Sequence, residues 1–104
     1  MGDQVKELSP EDQKLVTLAR ATRARTGAPE SAAVRDLDGR TYAAASVSLP
    51  SLEVSALGVC ISMAISSGSR GLEAAVLMGA ASLSDSDASV LREFAGDGVV
   101  VHVV

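Results

Sequence analysis

Almost half of this 104-residue chain is hydrophobic (47%), yet only Tyr42 and Phe94 are aromatic. Aromatic side chains usually supply much of the bulk of a core, so this interior has to be filled by Ala, Val and Leu packed at close range. Small side chains bring backbones together, and any fold the chain adopts must allow that. At this length one core can stabilise one domain, and no second domain is needed. Residues 1–8 are expected to form a flexible tail ahead of it.

Charge narrows the function classes. The formal net charge is −4, and the whole acidic surplus lies in residues 41–104. Proteins that hold nucleic acid by neutralising phosphates present a positive face, so nucleic acid is not an expected partner. Cys60 is the only cysteine, which rules out an internal disulfide, and Met1 to Glu7 lack the apolar run of a secretory signal. The expected location is the cytoplasm. The longest uncharged stretch, Val54 to Ser69, is interrupted by serines and falls short of the ~18 to 20 apolar residues that span a bilayer. It reads as a buried helix, and no membrane association is expected.

Start and stop signals divide the chain into elements. Ser9-Pro10-Glu11-Asp12 combines a Ser N-cap, Pro at the first helical position and two carboxylates in the first turn. Leu15, Leu18, Ala19 and Thr22 follow on one face and Gly27 ends the pattern, which predicts a helix over 10–25 with Arg20, Arg23 and Arg25 on a solvated face. Asp38-Gly39 between extended segments predicts a hairpin of strands 31–36 and 40–48. Pro50-Ser51-Leu52-Glu53 reads as a second helix start, with Glu53 compensating the dipole, running to Gly68 and apolar all round. Leu72 to Met78 suits a buried strand, Ser84 to Phe94 a capped helix closed by Gly96, and the β-branched Gly98 to Val104 a final strand. The predicted order is α, β, β, α, β, α, β, an α/β arrangement in which crossovers bring strands parallel.

Three segments in this order resemble the cytidine deaminase family. Ser31-Ala32-Ala33-Val34 is similar to its xGAAV strand, and Asp38-Gly39-Arg40-Thr41-Tyr42-Ala43-Ala44 to its DGxxYTG hairpin. Ser82 to Phe94 is similar to its S-P-C-x-x-C-R-Q-V-L-R-E-F segment, with Val90-Leu91-Arg92-Glu93-Phe94 the most specific match. The resemblance runs from about Leu15 to the C-terminus. It implies a three-layer sandwich: a mixed sheet, antiparallel hairpin first and parallel strands after, with helices on both faces. It also implies a dimer or tetramer. Relative to the family pattern the chain is C-terminally truncated, without the fifth strand and last helix.

The family's chemistry depends on residues that this chain replaces. Its zinc is held by C-A-E and P-C-x-x-C cysteines, with the Glu moving protons. Here Ser84 and Asp87 stand at the second pair, and the first ligand and acid fall on Ser55-Ala56-Leu57 or, in the other register, on Leu57-Gly58-Val59. The N-x-E pair that grips ribose falls on Ser46-Val47-Ser48, and the loop aromatic is lost where Ala28-Pro29-Glu30 shortens it. Ser46, Ser48, Ser55, Leu57, Ser84 and Asp87 are thus the positions of a degenerate site with no catalytic residue, no metal and no cofactor expected. Ser84-x-x-Asp87 instead has the spacing of a capping box. Cys60 reads as a core thiol and His102 as a strand residue.

Three functions remain open. The first is a catalytically inactive, oligomeric structural or regulatory module, its association suggested by the apolar helix at 51–67 and an uncovered last strand. The second is a nucleoside or base sensor using the old pocket. The third is an enzyme, either a cytidine deaminase with unrecognised ligands or one working through Ser84, Asp87 and His102.

Overall fold

The computed structural model describes residues 8–104, so the tail expected over 1–8 lies, apart from Leu8, outside the described residues. Helix α1 spans Pro10–Thr26, opened by Ser9, whose hydroxyl accepts the Asp12 amide at 3.1 Å, and closed by Gly27 at φ 70°. Leu15, Val16, Ala19 and Thr22 are buried along it, but Leu18, expected on the same face, is one-third exposed. Strands β1 (Ser31–Asp36) and β2 (Thr41–Ala45) form the expected antiparallel hairpin. Its turn is built on Asp36, whose carboxylate accepts the amides of Asp38 and Arg40, each at 2.9 Å. Burial pushes the Asp36 carboxyl up, but the Ser69 hydroxyl at 2.5 Å, those two amides and the Arg40 charge hold it below the usual range.

The segment after β2 departs from expectation. Strand 40–48 breaks after Ala45, and β3 (Val47–Leu49) pairs with β4 (Leu52–Val54) in a separate two-stranded hairpin. Pro50 therefore sits in a two-residue turn rather than at the first turn of a helix, and both settings suit its fixed φ. Cross-strand pairing of Leu49 with Leu52 and of Val47 with Val54 supports the turn. Helix α2 begins only at Ala56 and runs to Ser66, so Glu53 lies on an exposed strand and compensates no dipole. Ala56, Leu57, Cys60, Ile61 and Ala64 are buried, whereas Ser62, Ile65 and Ser66 face outward.

Strand β5 (Leu72–Met78), helix α3 (Asp85–Ala95) and strand β6 (Val100–Val103) complete the fold as predicted. The main sheet has the order β2-β1-β5-β6, with β1 antiparallel to β5 and β5 parallel to β6 across the α3 crossover. Gly79 ends β5 at φ 94°, where a Cβ would stand 2.3 Å from the Pro29 carbonyl oxygen, so only glycine fits there.

Alternation along the strands feeds two cores. On one face Ala33, Ala74, Val76 and Met78 meet Leu15, Val16 and Ala19 of α1. On the other, Ala32, Val34, Ala44, Ala75 and Leu77 meet Ala56, Leu57, Cys60, Ile61 and Ala64 of α2 and Leu91 of α3. Alanine recurs at the contact planes of all three layers, so helices seat close to the sheet. Ser31, fully buried, uses that closeness to donate to the Ala19 carbonyl at 2.6 Å. Cys60 is equally buried, its thiol set toward the Ala32 carbonyl at 3.5 Å, and burial pushes its pKa up to about 12. It is a core thiol.

Candidate functional site

Helices α2 and α3 both direct their N-termini at one cleft of about 480 Å³. Its walls come from the loop before β1, from the β3–β4 hairpin, and from the loop between β5 and α3. Glu30, Ser46, Ser48, Glu53, Ser55, Ser82, Ser84 and Asp87 line it. Among the described residues, lysine, arginine, histidine and aromatic side chains take no part in this lining.

Ser55, Ser84 and Asp87 converge at the cleft floor. Ser55 caps α2 by accepting the Gly58 amide at 2.9 Å, and Ser84 caps α3 by accepting the Asp87 amide at 3.1 Å. The capping spacing predicted for Ser84-x-x-Asp87 is therefore realised on its serine side. The carboxylate does something else: Asp87 Oδ1 accepts the Ser55 hydroxyl at 2.7 Å, joining α3 to α2. Asp87 is only 8% exposed. Of the two registers, this contact involves Ser55 of Ser55-Ala56-Leu57. Leu57 itself is fully buried in the core and stays out of the cleft lining. Ser46 and Ser48 reach the rim, Ser46 through its amide on the Glu30 carbonyl at 3.0 Å.

The donor set does not suit zinc. Protein zinc sites use thiolate, imidazole and carboxylate donors in tetrahedral array. Ser55, Ser84 and Asp87 provide one carboxylate and two neutral hydroxyls, and both hydroxyls already serve helix amides. Among the described residues, no three His, Cys, Asp or Glu side chains are grouped to share a metal ion.

His102 is elsewhere. It lies opposite Val76 in the β5–β6 register and faces α1, on the far side of the sheet from Ser84 and Asp87. Chemistry shared by Ser84, Asp87 and His102 is thus excluded by the strand's orientation. The histidine belongs instead to a network that the sequence did not reveal, because its members are far apart in the chain. Its Nε2 is 2.9 Å from Asp12 Oδ2, and since an ionised carboxylate only accepts, the ring nitrogen donates. Arg35 reaches Asp12 Oδ1 at 2.8 Å through Nη2 and Glu73 at 2.7 Å through Nε. Burial pushes the Asp12 carboxyl up, but hydrogen bonds from His102 and Arg35, with the Arg35 charge, hold it below its ordinary range.

The likenesses to known proteins agree with this architecture. A family model described as "Cytidine deaminase-like" matches residues 8–104. The fold is similar to cytidine deaminase from Mycobacterium leprae, with a TM-score of 0.76 and 24% identity over 86% of this chain and 84% of that one. It is also similar to cytidine deaminase from Mycobacterium tuberculosis, with a TM-score of 0.74 and 23% identity over 89% and 85% of the two chains. At such identities the likeness establishes the fold. No curated protein matches the chain.

Proposed function

This chain belongs to the cytidine deaminase-like family, and from that premise we propose that it is a catalytically silent member acting as an oligomeric structural or regulatory module. One observation carries the reading. The side chains that meet at the cleft floor are Ser55, Ser84 and Asp87, with Leu57 buried behind them, a set without thiolate, imidazole or proton-relaying glutamate. The cleft's two glutamates, Glu30 and Glu53, belong to its walls and take no part in the Ser55–Asp87–Ser84 contacts at the floor, where no metal-ligand set stands to activate water. Fold and function separate readily in widely used folds.

Exposed apolar surface supports the oligomeric part. Leu49 and Leu52 project from the β3–β4 tip at 58% and 52% exposure, and Ile65, Val100 and Val103 are also exposed. Strand β6 is an edge of the sheet among the described residues, with no Asp, Glu, Lys or Arg of its own to blunt it. Covering these groups by association removes them from water. None of the helices among the described residues is long and apolar enough to cross a membrane, and the reading places the module in the cytoplasm.

Metal analysis of the purified protein, paired with a cytidine turnover assay, is the decisive test of silence. Stoichiometric zinc with turnover would falsify it. Light scattering at micromolar concentration tests association, with a dimer or tetramer expected and a monomer refuting that half of the reading. The open cleft favours one second reading, a nucleoside or base sensor without turnover. A ligand at 100 times its Kd adds about 2.7 kcal/mol of stability, so thermal shift against a nucleoside panel separates sensor from pure scaffold.

A further inference from the structure

We propose that the Ser55–Asp87 hydrogen bond has taken over the mechanical task of a metal ion at this cleft, tying the N-termini of α2 and α3 together so that the fold closes without one. The proposal deepens the silent-module reading at the same site, and it rests on three features.

The first is electrostatic. Two helix N-termini aimed at one place bring two positive dipole ends together, which is unfavourable unless an anion stands between them. Asp87 is the acid shared by both ends. Its amide belongs to the Ser84 cap of α3, and its carboxylate accepts from the cap residue of α2. The second is the donor inventory of a hydroxyl, which offers one hydrogen and two lone pairs. Ser55 gives its hydrogen to Asp87 and uses a lone pair for the Gly58 amide. The result is a continuous chain, Ser84 to Asp87 to Ser55 to Gly58, across both helix starts. A carboxylate acceptor makes its central link stronger than a neutral hydrogen bond.

The third is steric and independent of charge. A Cβ on Gly58 would stand 2.9 Å from Ser55 Oγ and 3.2 Å from Val54 Cγ1. Gly58 has a negative φ, so no backbone demand explains it. What it provides is room for the Ser55 hydroxyl to point at Asp87. Serine as the cap, glycine three residues on and aspartate on the neighbouring helix therefore form one device.

A double-mutant cycle reads the tie directly. Ser55→Ala and Asp87→Ala are each expected to lower Tm by roughly 5 to 10 °C, and the double variant to melt close to the less stable single one. Gly58→Ala is expected to fall with them. Should the alanine variants fail to fold, Ser55→Thr keeps a hydroxyl and is expected to melt above its isostere Ser55→Val. Full additivity in the cycle, or equal melting of the Thr and Val variants, would overturn the tie while leaving the silent-module reading standing. Turnover of cytidine by zinc-free protein would do the reverse. Protein saturated with zinc sulfate and desalted is expected to keep fewer than about 0.1 zinc per chain and to melt unchanged in chelator. One tightly held zinc per chain would overturn both.

Discussion

Asp12 and Asp87 occupy the same position in two helices and make opposite uses of it. Each is the third helical residue after a capping serine, and each gives its amide to that serine at 3.1 Å. On the α1 side of the sheet, Asp12 then meets Arg35 and His102, with Glu73 joined through Arg35. On the other side, among the described residues, the Asp87 carboxylate meets the Ser55 hydroxyl. The local instruction is identical and the tertiary partner is not. One cluster is ionic and fastens α1 to β1, β5 and β6, whereas the other rests on hydroxyl donors at an open cleft.

That contrast orders the expected costs. Asp12→Ala should be the most damaging, because it leaves the partly buried Arg35 short of an anionic partner, and breaking such a pair costs about 3 kcal/mol. Urea denaturation measures it, and a loss no greater than that of Asp87→Ala would collapse the distinction between the two sides. Asp87→Ala should follow at about 2 kcal/mol, the range for a hydrogen bond to a charged group.

A pH titration sharpens the contrast from another direction. Asp12 and Asp36 bind protons more weakly when folded than at the ordinary carboxylate value of 3.8. The unfolded chain therefore takes up more protons as pH falls. The stability these groups contribute is whole above that value and is lost as pH drops through their lower folded values. Urea midpoints should decline across that acid window, and Asp36→Asn should flatten the decline. An unchanged slope would show that neither carboxylate governs it.

The smallest effect is the most telling about local coding. Ser9→Ala and Ser84→Ala each remove one cap and should cost about 1 kcal/mol apiece. Equal costs would confirm that the two helix starts differ only in where the aspartate side chain goes.

The same division explains what could be read from the sequence. Capping serines, glycine stops and the Asp38-Gly39 turn act over a few residues, so α1, the β1–β2 hairpin, β5, α3 and β6 were legible. Pro50 is ambiguous because proline followed by an acid suits a helix start and a strand turn alike. Two signals resolve it: the apolar pair Leu49 and Leu52 flanking a two-residue turn, and Ser55 with its own cap spacing to Gly58. Five of the six proposed site positions line one cleft, and Leu57 lies in the core. The Ser55–Asp87 contact joins residues 32 apart, and the Asp12 network joins groups up to 90 residues apart. Contacts at that distance leave no periodic trace in a single sequence.

The alanines between the layers carry a further consequence. Ala19, Ala32, Ala33, Ala56, Ala64 and Ala75 are all fully shielded from solvent, and their methyl groups are nearly the least that a side chain can contribute. Such an interior has little to lose by truncation and much to lose by growth, since each added methylene must pry a helix off the sheet at about 1 to 3 kcal/mol. Its weakness is swelling rather than hollowing. Variation along this lineage should accordingly drift at the rim and stay frozen at the seams.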